Sequence, residues 1–197
     1  MREFTSETIY FAKPGPENTA RTLARVAERA EALHLETVVV ATTRGWTGWQ
    51  AVQQLTGLNV VAVTHSVGFR EPYTSNLDPE MARKIEAGGG RLLTTTHAFG
   101  GVGRAVRKKL DTYQVDEIMA YTLRTFGQGM KVAAEITLMA SDAGLIPDGG
   151  PIIAVGGTGR GADTAVVLKP THAQTFFDLK FLEILCMPAP GHPVWEA

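Results

Sequence analysis

The stretch Val38-Val39-Val40-Ala41-Thr42-Thr43-Arg44-Gly45-Trp46-Thr47-Gly48 decides the fold. Its first half is an unbroken apolar, β-branched run. Such a run is expected where helices cover both faces of a parallel sheet. Its second half stops the strand with Thr, Arg and Gly and opens a helix at Trp46 or Thr47. A matching stretch occurs later, Ile152-Ile153-Ala154-Val155 followed by Gly156-Gly157-Thr158-Gly159-Arg160-Gly161-Ala162-Asp163. In both, glycine lets backbone N–H groups approach an anion, Thr adds hydroxyls and Arg supplies a bidentate charge.

Working outward, short apolar runs alternate with helical periods. Strands are predicted at Ile9–Ala12, Thr37–Ala41, Asn59–Thr64, Arg91–Thr95, Ile152–Val155 and Ala165–Leu168, with a further one at Leu179–Leu185. Helices are predicted from Asn18 or Thr19 (either able to cap) to Leu33, and from Trp46 or Thr47 to Leu55. Another runs from Asp78-Pro79-Glu80 to the Gly88-Gly89-Gly90 stop, and one lies over Gly101–Leu110. Asp116–Ala143 is the longest, broken near Gly127-Gln128-Gly129. Strand–helix alternation gives an α/β fold with right-handed crossovers. Ligands of such folds sit beyond the carboxyl ends of the strands, at the switch point of strand order.

With 197 residues and no linker or repeat, residues 1–197 read as a single domain. A formal net charge of −1 carries no general basic footprint, so no nucleic-acid partner is expected. The lone Cys186 rules out an internal disulfide framework and fits a reducing compartment. No signal-peptide core and no apolar run of roughly 18 residues is present, so no membrane partner and a cytoplasmic location are expected. The sequence allows a homo-oligomer and fixes no oligomeric state.

The glycines of Gly156–Gly161 resemble a dinucleotide fingerprint, but Ala165-Val166-Val167-Leu168 follows them as a strand where that motif needs a helix. The loop reads either as an anion cradle built on amides and Arg160 or as a plain tight turn. Thr42–Gly48 is better placed for phosphate, at a helix start, and lacks the Gly-Lys-Ser/Thr ending of an NTP-hydrolysing loop. Trp46 and Trp49 offer flat aromatic surface there, or serve as core residues beside a cap. His65-Ser66-Val67-Gly68-Phe69 and Thr96-His97-Ala98-Phe99 each put a histidine just past a strand. These histidines either meet a ligand or hydrogen-bond their own loops. No carboxylate or Cys at ligand spacing joins them, so no metal is expected. Arg124, Gln128, Lys131 and Glu135 share one helix face; the reading favoured is a solvated face with a Lys131–Glu135 pair. A polar seam turned to a ligand is the alternative, supported by the glycines of Phe126-Gly127-Gln128-Gly129. Nucleophile-elbow catalysis is not indicated at Ser66.

From Asn18 onward the order of elements resembles the C-terminal domain of pyruvate kinase. Nearly the whole chain is similar to stand-alone pyruvate kinase alpha/beta domain proteins of archaea and bacteria. The similarity rests on Tyr10-Phe11-x-x-Pro14-Gly15-x-Glu17-Asn18-Thr19, Phe126-Gly127-Gln128-Gly129 and Gly157-Thr158-Gly159-Arg160-Gly161-Ala162-Asp163-Thr164. The resemblance implies a three-layer α/β/α sandwich with a mostly parallel sheet of order 3-2-1-4-5, the last strand antiparallel. The N-terminal strand is extra to it and has no place in that order. In pyruvate kinase this domain binds a sugar-phosphate effector through the two corresponding loops, and some stand-alone members are implied to bind flavin mononucleotide (FMN). The catalytic barrel of pyruvate kinase, with its metal and phosphoenolpyruvate residues, is absent from this sequence, so phosphoryl transfer to ADP does not carry over.

These readings predict a phosphate-bearing small-molecule ligand: FMN as cofactor of an oxidoreductase or, as the alternative, a sugar-phosphate-like metabolite bound by a non-catalytic sensor. The residues expected to hold it are Thr42, Thr43, Arg44, Gly45, Trp46, Thr47 and Gly48, then His65, Ser66, Val67, Gly68 and Phe69. His97, Gly127, Gln128, Gly156, Gly157, Thr158, Gly159, Arg160 and Gly161 complete the set.

Overall fold

The computed structural model describes residues 2–195. Seven strands form one sheet: β1 (Ile9–Phe11), β2 (Thr37–Ala41), β3 (Asn59–Thr64), β4 (Arg91–Thr94), β5 (Ile152–Gly156), β6 (Thr164–Lys169) and β7 (Lys180–Pro188). Their spatial order is β1-β7-β6-β5-β2-β3-β4. Within it, β4-β3-β2-β5-β6 reproduces the expected order 3-2-1-4-5. β2 pairs parallel with β3 and β5, whereas β6 runs antiparallel to both β5 and β7. β6 is not an edge. β7 continues the sheet past it, and the N-terminal β1 pairs parallel with β7 through Ile9↔Cys186 and Phe11↔Pro188.

Helices α1 (Thr19–Leu33), α2 (Trp46–Gln54), α3 (Pro79–Ala87), α4 (Val102–Leu110), α5 (Val115–Arg124) and α6 (Gln128–Asp142) complete the α/β/α sandwich. Side chains of successive strand residues point to opposite faces. Val38, Val40, Ala62 and Ile153 therefore pack with Leu23 and Val26 of α1, Ala51 of α2 and Ile85 of α3. Val39, Val61, Val63 and Ala154 face Met130, Ala133, Ile136 and Met139 of α6 instead. α5 and the turn at Phe176 cover the outer side of α6. None of the described helices is long and apolar enough to cross a membrane.

The break expected near Gly127 in the Asp116–Ala143 stretch is present and separates α5 from α6, because Gly127 takes φ 122°, a conformation L side chains rarely adopt. One local expectation changes. Asn18 stands at the α1 N-cap without a side-chain cap bond; its Nδ2 donates to Lys13 O (2.8 Å), and Thr19 Oγ1 accepts from Ala162 N (3.0 Å). The Asp78 cap of α3 forms as expected, accepting from Glu80 N (2.8 Å).

Candidate functional site

Because β6 alone runs backwards, the carboxyl ends of the other strands and the β5–β6 loop gather at one end of the sheet. The pairing of Val40 with Val155 puts the Thr42–Gly48 and Gly156–Asp163 loops next to each other there.

In the first loop, Thr42 is buried and its Oγ1 accepts from Gly45 N (3.1 Å), so this hydroxyl shapes the turn. Gly45 enters α2 at φ 99°, and a Cβ there would lie 2.4 Å from Met81 Cβ of α3. Trp49 N is the first amide of α2 to reach an acceptor of the helix turn, Gly45 O (2.9 Å). The preceding amides of Trp46, Thr47 and Gly48 belong to the unpaired first turn. Arg44 is exposed at this helix start. Trp46 packs edge-on against Trp49, over which Lys84 sits, and forms no ring pair with His65 or Phe69 among the described residues.

The second loop is more self-contained than a cradle would be. Asp163 is fully buried and accepts from Thr158 N (3.0 Å), Gly15 N (3.3 Å) and the Thr164 hydroxyl (2.8 Å). Asp163 N closes on Gly156 O (3.2 Å), Arg160 N donates to Thr158 O (3.0 Å) and Ala162 N to Thr19 Oγ1. Four of its amides are thus spent inside the protein. Gly161, at φ 69°, sits so close to Pro16 that a Cβ would lie 2.4 Å from its Cα. Two of the segments that carried the family resemblance therefore interlock physically.

Gly127 and Gln128 start α6 over the same end. A Cβ on Gly129 would lie 2.0 Å from Thr164 Oγ1, and one on Gly156 would lie 2.4 Å from Gly129 O. Glycine at both positions is what lets the start of α6 touch the β5–β6 corner.

One turn further along α6 the solvated-face expectation fails. Lys131 and Glu135 are buried, at 4% and 3% exposure, and form an ion pair with each other. The reason is tertiary: the loops after β3 and β4 close over this face. Glu135 Oε1 accepts from Phe99 N (3.1 Å), and Oε2 lies 3.5 Å from His97 Nδ1. His65, Phe69 and His97 form one aromatic cluster, with ring centroids 4.2 Å (His65–Phe69), 4.8 Å (Phe69–His97) and 5.3 Å (His65–His97) apart. Arg104 of α4 caps the Phe69 ring at 4.9 Å. Arg124 donates to Gln128 Oε1 (2.7 Å). Among the described residues His65 Nδ1 and His97 Nε2 are buried without a hydrogen-bond partner, so neither nitrogen bonds its own loop.

The electrostatics follow from burial. Burial raises the Glu135 carboxyl, but the contact with His97 and the charge and contact of Lys131 outweigh it and hold the group at about 2. Burial lowers Lys131, opposed by Glu135 and reinforced by Arg124 and Arg104. Burial also lowers His65, assisted by the charge of His97.

The paired loops do not line either of two clear concavities. One of about 180 Å³ lies by Leu55 and Gly88–Gly90; the other, of about 480 Å³, lies among Phe99, Met119, Leu138 and Phe176. Ser66, Val67 and Gly68 lie in the turn carrying Phe69, with Val67 exposed. No group of three or more His, Cys, Asp or Glu able to hold a metal occurs among the described residues. Sequence reasoning missed Asp163, whose partner Gly15 is remote in the chain, and Arg104, which carried no spacing signal.

The fold and this end of the sheet define an α/β domain with two helix starts and a buried polar cluster at the strands' carboxyl ends. The chain belongs to the pyruvate kinase, alpha/beta domain family, which it matches over residues 20–168. Among solved structures it is similar to a pyruvate kinase from Cryptosporidium parvum, with 16% identity, a TM-score of 0.37 and coverage of 74% of this chain and 21% of that one. A Cryptosporidium parvum pyruvate kinase in complex with ADP gives 16%, 0.39, 79% and 23%. The chain spans about a fifth of the length of those enzymes.

Proposed function

We propose that this chain binds a small phosphate-bearing molecule with a planar ring, FMN, at the carboxyl end of its sheet. The observation that supports this reading is the unpaired first turn of α2 with Arg44 beside it, one strand away from the aromatic cluster of His65, Phe69 and His97. A helix start with unpaired amides and a neighbouring guanidinium suits a phosphate. The unpartnered nitrogens of His65 and His97 suit the polar edge of a flavin ring. Arg44 and the amides of Trp46–Gly48 would hold the phosphate, and Arg160 would close from the β5–β6 loop. When bound, the flavin would supply the electron-carrying ring, the protein its orientation.

Calorimetric titration with FMN, riboflavin and a sugar phosphate tests the reading. FMN is expected to bind and to raise the unfolding temperature, with riboflavin weaker for want of the phosphate. Stabilisation by sugar phosphates with none by FMN would overturn the flavin and leave a phosphometabolite-binding module.

A further inference from the structure

The cluster around Glu135 carries more than contact surface for a ring. Its charges do not balance. Arg104 and Arg124 add positive charge around Lys131, Arg70 adds to it around His65, and Glu135 is the carboxylate paired with Lys131. Asn76, from the loop after β3, also faces His65. Contributions thus come from the loops after β3 and β4 and from α4, α5 and α6, and positive charge is in excess. Of these cations Lys131 is buried, Arg104 and Arg124 are half-buried and Arg70 is exposed, and a half-buried site with surplus positive charge attracts an anion.

Its hydrogen bonding does not balance either. His97 Nε2 is buried without a partner among the described residues, and His65 Nδ1 has the Asn76 side chain as its one polar neighbour. Buried polar atoms are ordinarily paired, and one left open beside a charged cluster suits a polar ligand. Ionised Glu135 fixes the imidazole: its Oε2 takes the Nδ1 side of His97 and leaves the Nε2 lone pair facing away from the carboxylate. The Phe69 ring stacks at 22° on His97, and the Arg104 guanidinium lies 4.9 Å from the centre of that ring.

We propose that His97, held by Glu135 and flanked by His65 and Lys131, is an acid–base site for a small oxyanion that displaces Phe69. The ligand class is a phosphate or carboxylate bearing a weakly acidic X–H group. The X–H bond breaks, its electron pair stays on X, and the proton moves to His97 Nε2. The imidazolium so formed is stabilised by Glu135, and the new negative charge on X faces Arg104, Arg124 and Lys131. The reverse transfer returns the proton, so no oxidant or reductant is needed. The site shares His65 and His97 with the flavin position of the proposed function, and its proton transfer needs no flavin.

The test is nuclear magnetic resonance of the full chain labelled at histidine Cε1, titrated with inorganic phosphate and, separately, with acetate. Whichever oxyanion the site takes is expected to shift His65 and His97 and leave His34 and His192 in place. It should also raise the titration midpoint of His97 by about one pH unit, since a nearby anion favours the imidazolium. Arg104→Gln, a change at a half-buried residue, should weaken that response about tenfold. Glu135→Gln should lower the His97 midpoint; if that variant does not fold, the wild-type midpoint and Arg104→Gln carry the test. Equal shifts at all five histidines, or a His97 midpoint that neither anion moves, would overturn the proposal. The anion titrations are run without FMN, so failure of FMN to bind in calorimetry leaves the shifts standing, and FMN binding with no histidine shift by either anion overturns this proposal alone.

Discussion

Arg44 and Glu135 are the residues at which charge makes checkable demands. If Arg44 meets the ligand's phosphate, Arg44→Ala should weaken binding by about 1.5–3 kcal/mol, the scale of a charged hydrogen bond; calorimetry reads this directly. Glu135 demands a pH dependence. Its carboxyl is held at about 2 in the folded chain against 4.5 in the unfolded one. The stability it contributes is present above about pH 4.5 and is lost as pH falls from there toward 2. Denaturant unfolding followed between those values should show this decline, and Glu135→Gln should flatten it. The one-face spacing of Arg124, Gln128, Lys131 and Glu135 was legible in the sequence. The burial of Lys131 and Glu135 was not, because Phe99 and His97, which meet Glu135, come from a segment well upstream, and no local pattern encodes that closure.

At the scale of elements, the corner where the N-terminal arm, α6 and the β5–β6 loop meet is held by one carboxylate, Asp163, and three glycines, Gly129, Gly156 and Gly161. Asp163→Ala would strand Thr158 N and Gly15 N, both pointing at a buried oxygen that is gone. A loss of about 3–5 kcal/mol is expected in chemical denaturation. Gly156→Ala pushes a methyl group at Gly129 O, a backbone atom that cannot swing aside, and overpacking there should cost about 1–3 kcal/mol. The strands, the α6 break and the Asp78 cap were readable from apolar runs, glycines and the Asp-Pro pair, all local signals. Asn18 misled because Asn is a good N-cap by type, yet its amide serves Lys13 while the neighbouring Thr19 takes up the loop across from it. That choice is made by tertiary contact.

For the whole molecule, the five-strand core order was legible through the family resemblance, and the outer edge was not. β1 is three residues long and has no amphipathic signature of its own; only β7 gives it a place. Hydrogen exchange should reflect this layout. Amides of β2, β5 and β6, paired on both sides and buried, should exchange slowest, and those of the edge strands β1 and β4 fastest. The pairing of β2 with β5 has a kinetic meaning as well. Val38 and Ile153 come from opposite halves of the chain, so their contact closes a long loop and forms late. Until β5 arrives, the Arg44 turn and both histidine loops lack the strand that aligns them with α6. A chain emerging from the ribosome would therefore assemble this end of the sheet in one step, once Ile152–Gly156 is out. A truncated chain ending before Ile152 should carry every histidine of the cluster and bind nothing.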